Sequence, residues 1–173
     1  MRNPTIMTVI LLTLPLTFMA CNGGSKNPFK DPPLKDEMSF SYLETTDYKG
    51  RTMEETIDIR FEKRNDGMFD CIKTYTDKYG PREQEPLKVD GFFKYNEVMD
   101  TLASSHPLWR DPQVLASGNI GRMKVVEDTY NGKSVYACLQ GDHEKQYYDM
   151  ETGFLEGAYI DTGNAKETVI RIE

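Results

Sequence analysis

Thr56-Ile57-Asp58-Ile59-Arg60-Phe61-Glu62 alternates apolar and charged or polar side chains without a break. A strand turns successive side chains to opposite faces, so Ile57, Ile59 and Phe61 share one face and Asp58, Arg60 and Glu62 the other. That pattern specifies a half-buried β-strand. Asn65-Asp66-Gly67 follows, with residues that tolerate the positive φ of a tight turn. Met68 to Tyr75 then reads as the returning strand, with Phe69, Cys71 and Tyr75 on one face. Upstream, Phe40 and Tyr42 open a strand that ends near an Asp47–Gly50 turn.

The second half repeats this logic. Arg122 to Tyr130 reads as a strand, and Asn131-Gly132 is a strong hairpin turn. Lys133 to Gln140 returns, Gly141-Asp142 turns, and His143 to Met150 follows. After Glu151-Thr152-Gly153, two more strands cover Phe154 to Asp161 and Lys166 to Ile172. Short strands joined by tight turns pair antiparallel. One helix is expected, over Glu97–Ser104, where Val98, Met99 and Leu102 have helical spacing and Asn96 offers an N-cap. Ser105 to Gly121, with Pro107, Trp109 and Pro112, reads as a long irregular loop. The expected fold is mainly β (α+β): a curved antiparallel sheet or half-barrel with one short helix and a long loop.

Outward from the domain, the N-terminal stretch has another character. Residues 1–20 read as a signal peptide: Arg2, a mostly apolar run from Ile6, and a small residue at Ala20. The apolar run is about 15 residues, whereas a bilayer-spanning helix needs roughly 20. Cys21 follows Ala20, and the segment resembles a bacterial lipobox, which implies lipidation of Cys21 and anchoring to a membrane. Phe18 and Met19 depart from the usual residues there. Asn22 stands where an inner-membrane retention signal of enteric bacteria has Asp, which points to the outer membrane. Residues 21–37 form a Gly-, Pro- and Asn-rich lipidated tether, and residues 38–173 a single β-rich domain.

Of the 21 Lys and Arg in the 173-residue chain, a cleaved leader would remove Arg2, leaving 20 against 28 Asp and Glu. That balance argues against nucleic acid or anionic lipid headgroups as partners. Cys71 and Cys138 remain after Cys21, either bridged in an oxidising compartment or as two separate buried thiols. His106 and His143 are the only histidines, read as solvated, with too few ligands at useful spacing for a metal. Ser104 and Ser105 precede His106, but no Gly-x-Ser-x-Gly occurs. Glu54-Glu55 and Glu127-Asp128 read as solvated strand faces rather than a glycosidase pair, and Gly118-Asn119-Ile120-Gly121 as a turn. No cofactor motif is present. Trp109, the single Trp, marks the one loop with functional interest, as a lid over the open face or as a plug in the core.

Three stretches carry a resemblance to the lipoprotein-localisation superfamily of LolA/LolB-like half-barrels. They are the strand-turn-strand over residues 39–63, the run Val89-Asp90-Gly91-Phe92-Phe93-Lys94-Tyr95-Asn96, and Tyr147-Tyr148-Asp149-Met150-Glu151-Thr152-Gly153-Phe154-Leu155. The Tyr-Tyr-Asp…Gly hairpin is also similar to YD-type repeats, of which one copy occurs. The long N-terminal helix of the half-barrel family is replaced here by the Pro-rich tether. The resemblance implies an apolar concave face. Its lining would include Ile57, Ile59, Phe61, Tyr136 and Tyr148, closed by residues 97–112 with Trp109. The expected function is therefore a non-enzymatic binding module for an apolar ligand, a lipid or acyl chain. A second expectation is an assembly lipoprotein holding a protein partner at the outer membrane; a third is a hydrolase.

Overall fold

The computed structural model describes residues 31–96 and 99–173. The leader, Cys21 and the first part of the tether lie outside the described residues, as do Glu97 and Val98. The described strands are β1 (Ser39–Tyr48), β2 (Arg51–Lys63), β3 (Phe69–Asp77), β4 (Gly80–Glu83), β5 (Leu87–Val89), β6 (Lys94–Tyr95), β7 (Met99–Asp100), β8 (Leu102–Ala103) and β9 (His106–Pro107). Helix α1 (Pro112–Ala116) follows, then β10 (Asn119–Ile120), β11 (Met123–Tyr130), β12 (Lys133–Gln140), β13 (Glu144–Asp149), β14 (Leu155–Asp161) and β15 (Ala165–Arg171).

Eleven strands form one curved antiparallel sheet that does not close into a barrel. Its order is β10-β11-β12-β13-β14-β15-β1-β2-β3-β4, with β5 also paired to β3. The two hairpin-rich halves meet where β1 pairs with β15, from Tyr42 opposite Arg171 to Tyr48 opposite Ala165. β2 carries the opening heptad as expected: Ile57, Ile59 and Phe61 are buried, while Asp58, Arg60 and Glu62 are exposed.

Residues 90–96 and 99–117 cross the concave face, and Phe93, Ala103, Leu108, Trp109 and Leu115 fill it. Phe93 lies 5.2 Å from Phe61 and 5.5 Å from Phe154 (ring centroids), both edge-on, and stacks on Trp109 at 6.2 Å. Edge-to-face and offset contacts in this range suit the aromatic quadrupole. The segment is sewn to the hairpin between β13 and β14. The Arg110 N–H donates to the Gly153 carbonyl at 2.9 Å, and the Leu155 N–H to the Leu108 carbonyl at 3.0 Å. The indole N–H of Trp109 donates to the Thr152 carbonyl at 2.9 Å. Of the two roles open to Trp109, plug describes its position.

Two expectations need correction, the helix position and the exposure of His106. No helix forms over the described part of the expected span, residues 99–104. Met99–Asp100 and Leu102–Ala103 are strands paired with Lys94–Tyr95 and His106–Pro107. Asn96 turns the chain at φ 53° instead of capping a helix, and Ser104 turns it again at φ 55°. Met99, which the helical face would have buried, is 50% exposed. The helix sits instead at Pro112–Ala116, where Pro starts the first turn and the Asp111 carboxylate accepts the Gln113 N–H. Of the two states left open for Cys71 and Cys138, separate buried thiols describes them, and burial pushes both up to about 11. They stand on β3 and β12, distant strands of the sheet order. His106 is buried, not solvated; His143 is exposed as expected.

The described part of the tether docks on the domain. Leu34 is buried and its N–H donates to the Gly91 carbonyl at 3.1 Å. Gly91 is needed here because a Cβ would stand 2.5 Å from that of Pro32. Among the described residues, no helix is long and apolar enough to cross a membrane.

Candidate functional site

Alternation along β1 turns Phe40, Tyr42 and Glu44 to the concave face, the first two buried. Glu44 therefore continues an apolar row with a carboxylate. Register then brings Glu55 of β2 directly opposite Glu44. Glu167 of β15, opposite Thr46, lies one step further along the same face. Like charges on facing positions cost stability, so three carboxylates at one end of the trough are not there to hold the sheet together. Burial raises the pKa of Glu44, and the charges of Glu167 and Glu55 add to it; hydroxyls of Ser104 and Thr46 work the other way.

The plug answers one of these carboxylates. Ser104 Oγ and Ser105 Oγ both donate to Glu167 Oε1, at 2.9 and 2.7 Å. His106 Nδ1 lies 3.8 Å from the same oxygen and 3.2 Å from Ser105 Oγ. A catalytic triad needs the base between nucleophile and acid, one ring nitrogen for each. Here hydroxyl and carboxylate share the Nδ1 side, and Nε2 is buried without a hydrogen-bond partner. Burial lowers the His106 pKa, outweighing the nearby Glu167 and Glu144 charges, while Arg110 lowers it further. The cluster is thus a latch between plug and sheet. On the neighbouring side, buried Lys73 donates its Nζ proton to the Leu102 carbonyl at 2.6 Å, and burial lowers its pKa.

The latch has a pH signature. Unfolded His106 takes up its proton near the ordinary value of 6.5, the folded side chain only at lower pH. Between the two, the unfolded state binds more protons, so this contribution is complete above about pH 6.5 and is lost as pH falls. Urea midpoints should drop between about pH 7.5 and pH 5.5, and His106→Gln should flatten that slope. An unchanged slope would remove His106 from the latch.

Beyond Glu44 the face opens into a cleft of about 710 Å³ between the β1–β2 and β3–β4 hairpins. Glu44, Glu54, Glu55 and Asp77 line it with Arg82 and Lys78. Arg82 bridges Glu55 and Asp77, leaving Glu44 and Glu54 without a cation among the described ion pairs. Met53 and Tyr79 stand on its rim, 59% and 84% exposed. A shallower cleft of about 600 Å³ lies at the other end of the strands, where Pro32, Leu34 and Lys63 mark the entry of the tether. Among the described residues, no group of three or more His, Cys, Asp or Glu could hold a metal ion.

The residues expected to line an apolar site come together, but as core. Ile57, Ile59, Phe61 and Tyr148 are at most 1% exposed and Trp109 is 8% exposed; Tyr136 packs against them half-buried. None of them lines either cleft. The Tyr148 hydroxyl accepts from Arg110 Nε at 3.2 Å and donates to Gln146 Oε1 at 2.9 Å; burial raises its pKa. Glu44, Glu167 and Lys73 were not singled out by sequence. Their only signal is a charged residue in phase with an apolar row.

No protein-family model and no curated protein matches the chain. Among solved structures it is similar to a chain of the Pseudomonas aeruginosa MucA/MucB complex, at 19% identity and a TM-score of 0.38. That match covers 78% of this chain, which spans 50% of the matched one. A DUF1329 family protein from Desulfovibrio piger is similar at 7% identity and a TM-score of 0.25, over 79% of this chain and 83% of the other. Likenesses of this size carry no inference about activity, and the chain stands here on its own geometry: a plugged, open, antiparallel trough with an acidic cleft at one end.

Proposed function

We propose that the protein is a non-enzymatic binding module, exported and held at a bacterial outer membrane through lipidated Cys21, and that it holds a protein partner. The observation that supports this reading is the cleft beside Glu44. It places exposed Met53 and Tyr79 with Arg82, residue types enriched at protein interfaces, beside the carboxylates of Glu44 and Glu54, unpaired among the described ion pairs, which a basic partner would complement. β2 separates the cleft from the tether's entry by roughly 30 Å of extended chain between Met53 and Lys63. The described part of the tether therefore joins the domain at the end of β2 opposite the cleft. A photo-crosslinking residue at Tyr79 should trap one specific protein in cells, and Glu54→Lys should weaken that adduct. Labelling at Tyr79 no greater than at an exposed position beside the tether would sink the reading. Palmitate label lost in Cys21→Ser tests the anchor separately.

A second reading keeps an apolar ligand, a lipid or acyl chain, on the concave face. It is favoured by strain in the plug. Phe93, Asn96 and Ser104 all adopt positive φ, a costly region for a bulky side chain such as Phe93. Thr101 Oγ1 and His106 Nε2 are buried without hydrogen-bond partners. Such a ligand would have to displace the plug, and lipid extraction followed by mass spectrometry separates the two readings.

A further inference from the structure

The sheet ends on one side in a strand that is paired on one edge only for most of its length. β10 pairs with β11 at Met123 and Lys124 alone. From Val126 to Tyr130, no strand among the described residues lies outside β11. The Asn131-Gly132 turn, at φ 51° and 78°, closes Tyr130 on Lys133. Residues flanking such a two-residue loop exchange both hydrogen bonds, and the pattern alternates from there. Tyr130, Asp128 and Val126 therefore bond inward to β12, while Glu127 and Thr129 turn N–H and C=O outward. Val125 is in the same phase, and its N–H does point outward, to the Gly118 carbonyl at 2.9 Å. Glu127, Asp128 and Thr129 are exposed.

This edge is guarded at one point. The Thr129 N–H is covered by its neighbour, the Asp128 carboxylate, at 2.7 Å. Natural sheets protect free edges with charges and local caps, because a bare row of donors and acceptors recruits other chains. The guard here is a carboxylate that a cation could draw away.

We propose that the outer edge of β11, Val126 to Tyr130, receives an extended basic segment of a partner protein as an added antiparallel strand. A Lys or Arg of that segment pairs with Asp128, frees the Thr129 N–H for the ladder, and a second basic residue meets Glu127. Charge decides the occupant. A second copy of this edge would set Glu127 and Asp128 against their own kind, which facing strand positions penalise. A lipid has no ladder of amides to offer. The segment is recognised by main-chain hydrogen bonds, with side-chain charge setting specificity. The inference goes beyond the cleft reading and concerns the other side of the sheet.

The test uses the full chain with two synthetic peptides, Ac-TVKKKVT-NH2 and Ac-TVEEEVT-NH2, whose consecutive charges reach both faces of the added strand. The basic peptide should slow amide exchange at Glu127 and Thr129, and the acidic one should not. Glu127→Pro removes an outward donor at a position where edge strands tolerate proline, and should weaken the basic peptide by roughly tenfold or more. Asp128→Asn, which keeps a cap without the charge, should weaken it less and reduce its salt dependence. No binding of the basic peptide at about 1 mM, equal binding of both peptides, or exchange protection elsewhere than β11 would overturn the proposal. If Glu127→Pro fails to fold, the exchange map and Asp128→Asn still decide it. A partner crosslinked at Tyr79 while both peptides fail would leave the cleft reading standing and remove this one.

Discussion

Phe93→Ala is expected to destabilise the domain by about 3–5 kcal/mol, the range for removing a large buried aromatic. Phe93 is 2% exposed and touches rings from the sheet and the plug at once: Phe40, Phe61, Phe154 and Trp109. Its loss leaves a cavity where plug and trough meet, so surrounding side chains cannot all close in. Urea unfolding followed by Trp109 fluorescence measures it. Phe93 also sits at φ 63°, a conformation that costs any residue with a Cβ about 1–2 kcal/mol. Phe93→Gly should therefore be no worse than Phe93→Ala, and milder by about 1 kcal/mol. If Phe93→Gly proved clearly the more damaging, the strain assigned to this position would be wrong.

Gly153→Ala is the second large effect, expected to cost more than about 3 kcal/mol. At φ +74° an added Cβ would stand 2.0 Å from the Arg110 carbonyl oxygen and 2.9 Å from Pro112 Cδ. The first contact is with backbone and cannot rotate away. Relief requires the plug to lift from the β13–β14 hairpin, breaking the Arg110-to-Gly153 and Leu155-to-Leu108 hydrogen bonds. Gly50→Ala is the control. Its φ is +75°, yet nothing lies within 4 Å of the added carbon. It should cost only the backbone strain, about 1–2 kcal/mol. Equal losses at the two positions would show that the plug is not pressed on the hairpin.

The strands were legible because their alternation is local. Ile57, Ile59 and Phe61 name their own face, and Asn131-Gly132 names its own turn. The plug was not, because strands of two residues, such as Leu102–Ala103, hold no period to read. The Val98-Met99-Leu102 spacing then imitates a helix, while the actual turns at Phe93 and Ser104 are accompanied by docking against Phe61 and Glu167. The acidic cluster was hidden for a related reason. Glu44, Glu55 and Glu167 each sit in an ordinary alternating strand. They meet only through the register of β1 against β2 and β15. Glu54-Glu55 reads as one solvated pair, but strand alternation separates them: Glu54 is exposed and Glu55 turns in beside Arg82.

The ladder between β1 and β15 has a kinetic meaning. Tyr42 finds Arg171 only after nearly the whole domain has been supplied, so its seam is non-local throughout. The other ladders of the main path join strands that follow one another in sequence, so this seam is the pairing whose loop-closure cost is met last. Until β15 arrives, β1 keeps one edge bare and the row Phe40, Tyr42, Ile57, Ile59, Phe61 stays open to water. A nascent chain in that interval is a substrate for chaperones and an aggregation risk. Holding the chain unsealed until its last strand also keeps it threadable through a narrow pore for as long as synthesis lasts.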